Sequence, residues 1–91
     1  MTDAIDATTH FPLGEAKRGY SGVIRRIDAD ATGSALSAAE LESRLIELGF
    51  VEGVRVEVLH EGAVGRDPIA VRVENVTIAV RRREAMAIIV G

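Results

Sequence analysis

Cysteine and tryptophan are absent, and Phe11, Tyr20 and Phe50 are the only aromatic residues in the 91-residue chain. Without cysteine there are no disulfides, thiolate metal sites or cysteine nucleophiles. Three aromatics are too few to line a groove for proline-rich peptides. One lysine, Lys17, stands beside ten arginines, and the net charge is −3. That is the wrong sign for a chain that holds a polyanion without sequence preference, so no nucleic-acid partner is expected. Long apolar runs are missing as well. The stretch at 86–90 falls far below the roughly 20 residues of a membrane span. The acidic opening Met1-Thr-Asp-Ala-Ile-Asp has neither the basic nor the apolar region of a signal peptide. These absences predict one soluble, cytoplasmic domain with no direct membrane insertion.

What is present favours strands. Valine and isoleucine together outnumber leucine and methionine by 19 to 8, a bias towards β-branched residues that suits a pleated, half-buried surface. Residues 1–10 show no periodicity and read as a disordered tail, with the domain spanning 11–91. Val23 to Ile27 form a first strand, followed by a loop at 28–33. A helix over about 38–48 is the sharpest local signal. Ser37 and Glu40 are spaced as a capping box, Leu41, Leu45 and Leu48 form one stripe, and Gly49 with Phe50 fits a Schellman ending.

Beyond the helix the period becomes two. Val54, Val56 and Val58 alternate with Arg55 and Glu57, then Ile69, Val71 and Val73 alternate with Ala70 and Arg72. Val76, Ile78 and Val80 repeat the pattern after the short link Glu74-Asn75, where Asn75 would accept the positive φ of a tight hairpin. Residues 87–90 make a last strand. Five short strands with one buried face each are best hidden by curling. The fold predicted is mostly β, a small SH3-like barrel of about five strands with one inserted α-helix.

Groups for chemistry are sparse. His10 lies in the tail and His60 at a strand end beside Glu61, without the spacing of a metal motif. Asp28 and Asp30 make an ordinary acidic loop. The glycines of Gly62-Ala63-Val64-Gly65 precede a strand, so no helix dipole awaits a phosphate there. No catalytic residue and no cofactor are expected, and the chain is not read as an enzyme. The densest basic feature is Arg81-Arg82-Arg83. Either it is a solvated turn pairing with Glu84, or it grips a carboxylate or phosphate of a partner. Arg81, Arg82, Arg66 and Asp67 are the candidate partner-binding residues.

Four segments together carry a family resemblance. Leu45-Ile-Glu-Leu-Gly49-Phe50-Val51-Glu52-Gly53-Val54-Arg-Val-Glu-Val58 resembles the Leu-Gly-Leu-x-Pro-Gly-x-x-Val-x-Val core of the FeoA family. Pro12-Leu-Gly14 with Gly19-Tyr-Ser-Gly22-Val-Ile24, Asp67-Pro68-Ile69-Ala-Val71, and Ile78-Ala-Val-Arg-Arg-Arg-Glu84-Ala85 resemble its opening, middle and closing segments. Glu52 stands where the family usually has proline, Asn75 where glycine is common, and Arg66 adds a residue between Gly65 and Asp67. The resemblance implies an SH3-like barrel and a small cytoplasmic accessory of bacterial ferrous iron uptake. Its implied partner is FeoB, a membrane transporter with a cytosolic GTP-binding domain. A tie to transition metal ions follows from the resemblance, although the residues offer no ligand set for a tight site.

Two other roles are compatible with such a barrel. One is a standalone module acting with an iron-dependent repressor of the DtxR kind. Those proteins carry a helix-turn-helix ahead of the barrel, whereas ten residues precede the fold here. The other is a GTPase activator that offers Arg81 or Arg82 as an arginine finger. Exposed barrel edges and apolar loop residues such as Val64 leave room for a homodimer.

Overall fold

Alternating valines and isoleucines become strands over most of the chain, and the computed structural model describes residues 10–31 and 36–91. In chain order the elements are β1 (Phe11–Pro12), β2 (Ser21–Ile27), α1 (Ala38–Glu47), β3 (Arg55–Glu61), β4 (Ile69–Val73), β5 (Val76–Val80), α2 (Arg82–Ala85) and β6 (Ile88–Val90). Short 3-10 turns occupy Leu13–Glu15 and Ala29–Ala31. The expected five strands are thus joined by two-residue β1, and α2 replaces what reads in sequence as a turn. Ala29–Ala31 lies within the expected 28–33 loop. The tail expected over 1–10 falls outside the described residues except for His10, as does the end of that loop.

α1 begins and ends as its sequence dictates. The Ser37 hydroxyl accepts the Glu40 N–H at 3.2 Å while the Glu40 carboxylate accepts the Ser37 N–H at 3.1 Å. At the other end Phe50 N–H donates to Leu45 O at 3.0 Å and Gly49 N–H to Ile46 O at 2.9 Å, the paired bonds of a Schellman ending. Gly49 takes φ +108°, where a side chain would be strained. Leu41 and Leu45 are fully buried, but Leu48 is 37% exposed because it caps the helix instead of continuing its stripe.

All strand pairs are antiparallel, in the order β1-β6-β2-β3-β4-β5. The sheet turns at β2. Ser21–Val23 pairs with β3, and from Ile24 onwards the strand pairs with β6 across a register shift at Arg25. Such a bulge adds one unpaired residue and bends its strand. Pairing of Phe11 with Val90 adds β1 beyond β6. The hydrogen-bonded order does not close, so β1 and β5 remain edges of an SH3-like sheet.

A second register shift, at Leu59 in β3, sets the phase of the strand end. Val56 and Val58 point into the core, and His60, opposite Ala70, is exposed. In the β4–β5 hairpin the positive φ, 56°, falls on Glu74 and not on Asn75. The core gathers Leu13, Ile24, Leu41, Leu45, Phe50, Val56, Val58, Ile69, Val71 and Ile88. β6 is buried along its whole length, which explains its unbroken apolar sequence.

Candidate functional site

The Arg81-Arg82-Arg83 run divides as it enters α2. A helical turn cannot keep the two-sided alternation of β5, and the middle arginine swings inwards while Arg81 and Arg83 stay exposed. The Arg82 guanidinium donates from Nε to Arg66 O at 2.7 Å, and from Nη1 to Gly14 O at 3.0 Å and Ala16 O at 2.7 Å. Its Nη2 meets Glu61 Oε1 at 2.7 Å. The rigid fork of arginine answers all four groups at once, which a lysine could not. With side-chain exposures of 19% and 22%, Arg82 and Glu61 are shielded enough for their pairing to matter.

Asp67 completes the arrangement. Arg81, the residue before α2, offers no capping side chain, and Asp67 Oδ1 accepts the Arg82 N–H at 2.9 Å from the loop across the cleft. Four chain segments therefore meet here: the Leu13–Glu15 turn, the end of β3, the β3–β4 loop and α2. Close packing makes Gly14 necessary. A Cβ there would collide with Arg82 O and approach Met86 Sδ to 2.8 Å.

The four candidate residues are thus neighbours with unlike surroundings. Arg82 and Asp67 are half-buried and bonded within the fold, whereas Arg66 and Arg81 are exposed. Arg66 takes φ 58°, which holds its carbonyl for Arg82 Nε. Sequence reasoning missed Glu61 and Gly14, which stand 21 and 68 residues from Arg82. The Asp67-Pro68 and Pro12-Leu-Gly14 segments were visible in sequence, but nothing in the spacing joined them to an arginine. Among the described residues no group of three or more His, Asp or Glu side chains converges to hold a metal ion. His60 and Glu61 are adjacent, yet Glu61 is engaged by Arg82. Among the described residues no helix is long and apolar enough to cross a membrane.

Tyr20 packs edge-on against Phe11, ring centroids 5.0 Å apart. Burial raises its phenol above the ordinary tyrosine value, and the nearby Arg25 charge opposes the shift.

The arrangement holds Arg66 and Arg81 on a rigid corner, and the carboxylates beside them, Glu61 and Asp67, are both bonded to Arg82. With this geometry, the family described as the FeoA domain matches residues 11–91. The chain belongs to the FeoA family. FeoA of Stenotrophomonas maltophilia in complex with zinc, described as a prokaryotic SH3 domain protein and a candidate ferrous iron transport activating factor, is 31% identical. That likeness covers 89% of each chain with a TM-score of 0.70. The FeoA protein of Chlorobium tepidum is also 31% identical, over 88% of this chain and 68% of that one, with a TM-score of 0.66. A manganese-dependent transcriptional repressor shares the fold at 21% identity and a TM-score of 0.70. The likeness takes in 90% of this chain but 41% of the repressor. No match was found among curated proteins.

Proposed function

We propose that this FeoA-family domain is a cytoplasmic accessory module of bacterial ferrous iron uptake that binds the cytosolic G domain of a FeoB-type transporter. It does so as a binding module, with no chemistry of its own. The family match over residues 11–91 carries this reading. The Stenotrophomonas relative, whose description concerns ferrous iron transport, supports it. In the proposal Arg66 and Arg81 contact acidic groups of the partner. Arg82 and Asp67 position them by fixing the loop and α2 in one orientation. Pre-set arginines lose less freedom on binding than arginines on a mobile loop would.

The test is capture of the transporter's isolated G domain by the native protein and by an Arg66→Glu/Arg81→Glu variant that leaves Arg82 intact. Capture by the native chain and its loss in the folded variant are expected. Equal capture by both would remove this surface from the reading, and no capture by either would remove the partner. Measuring GTP hydrolysis in the same mixtures separates an activator from a scaffold.

The fold shared with the repressor supports a second reading, a standalone module acting with an iron-dependent regulator. A metal-dependent shift in such a regulator's DNA affinity on adding this protein would favour it over the first.

A further inference from the structure

Among the described residues β5 has a neighbour on one side only, since β4 is its single partner in the strand order. The other edge, β1, is guarded: it is two residues long and includes Pro12, which has no N–H to offer. β5 carries no such protection. Its sequence Val76-Thr77-Ile78-Ala79-Val80 has no charge and no proline, and Val76 is 58% exposed. Proteins generally blunt an edge of this length with lysine, proline or a bulge.

Register determines which backbone groups are open. Val73 and Val76 close the two-residue turn as a facing pair. The closing pair of such a hairpin is hydrogen-bonded, and bonded pairs alternate with unbonded ones. Val76, Ile78 and Val80 therefore direct their N–H and C=O groups to β4, and Thr77 and Ala79 direct theirs outwards.

We propose that two copies of this chain associate through β5, paired antiparallel about a two-fold axis at Ile78. Thr77 then lies opposite the partner's Ala79 and exchanges both backbone bonds with it. The symmetry repeats that pair on the other side of the axis. On the inner face the exposed Val76 lies opposite the partner's Val80, which is itself buried in its own copy. Charge favours this direction. Glu74 precedes β5, while Arg81 follows it and shares a cleft with Arg44, Ala79 and Val80. Antiparallel pairing sets the Glu74 end of each strand beside the Arg81 end of the partner's, with the two charged residues one position out of register, whereas parallel pairing would set like charges side by side. Five residues of strand cover less surface than a standard interface, so the dimer is weak and depends on concentration.

Sedimentation velocity and amide hydrogen exchange on the full chain test this, from about 10 μM to about 1 mM, the range suited to a small interface. The mass is expected to rise from the monomer's 9.7 kDa towards twice that value. Exchange at Thr77 and Ala79 should slow roughly tenfold, while Val76, Ile78 and Val80, already bonded to β4, change little. Thr77→Pro removes an outward donor without touching the ladder to β4, and Ala79→Lys places a charge on the edge. Each variant should remain folded by circular dichroism and stay monomeric. Glu74→Arg or Arg81→Glu alone should weaken the dimer roughly two- to tenfold, and the two together should restore it.

A monomer throughout the range overturns the proposal, as does a dimer indifferent to both Thr77→Pro and Ala79→Lys. Protection of Thr77 and Ala79 only after adding a transporter G domain also overturns it, and gives the edge to a partner's strand. Thr77→Pro leaves Arg66 and Arg81 in place, so self-association and transporter binding are read separately.

Discussion

Replacing Arg82 would strip a guanidinium from three backbone carbonyls and one carboxylate, all of them partly shielded from water. Arg82→Met is expected to lower stability by about 2–4 kcal/mol in urea unfolding, because it leaves Glu61 and the carbonyls without their donor. Arg81→Glu and Arg83→Glu, on exposed side chains, should stay within about 0.5 kcal/mol of the native protein. Charge reversal at Arg82 therefore tests folding before it tests binding. Gly14→Ala should cost roughly 1–3 kcal/mol by forcing the 3-10 turn away from α2. The basic run was legible in the sequence, but the inward turn of its middle member was not. That turn depends on contacts with residues as far away as Gly14, and no local pattern encodes them.

Elements whose determinants are local were the most legible. α1 declares its start through Ser37 and Glu40 and its end through Gly49, and both ends form as expected. Ser37→Ala should destabilise the protein by about 1 kcal/mol. The Glu40 carboxyl lies below the ordinary range because it accepts the Ser37 N–H and interacts with the Ser37 hydroxyl. Its contribution is thus present above the unfolded-state value and is lost as pH falls through the lower folded value. Following helical circular dichroism during acid titration should show part of this loss disappear in Glu40→Gln. β1 was not legible, since two residues with a proline carry no periodicity and exist only against β6. α2 was hidden for a related reason: its cap is Asp67, fifteen residues upstream, and not a neighbour in sequence. Glu74 holds the positive φ anticipated at Asn75, a choice made by the hairpin's twist and not by residue preference alone.

Across the whole molecule, the alternation of valines and isoleucines was enough to predict a curled β domain around one helix. It did not reveal that β2 serves both halves of the sheet, or that hydrogen bonding stops at β5. Both depend on where bulges fall, and Arg25 and Leu59 look like ordinary strand residues. Charge is also distributed unevenly. The net value is −3, yet Arg66, Arg81 and Arg83 stand exposed around the half-buried Arg82. If the proposed binding to a transporter G domain runs through these arginines, it should weaken several-fold between about 50 and 500 mM salt, mainly through slower association in surface-plasmon measurements.

The pairing of Phe11 with Val90 has a consequence for how the module travels. Facing residues of an antiparallel pair lie only about 5 Å apart, so the domain begins and finishes at nearly one point. A host chain could leave one of its own loops, pass through this barrel and return almost where it left. Joining the two ends and reopening the backbone at Glu74-Asn75 should likewise preserve every ladder except that hairpin's connection. Such a shape is suited to being grafted whole.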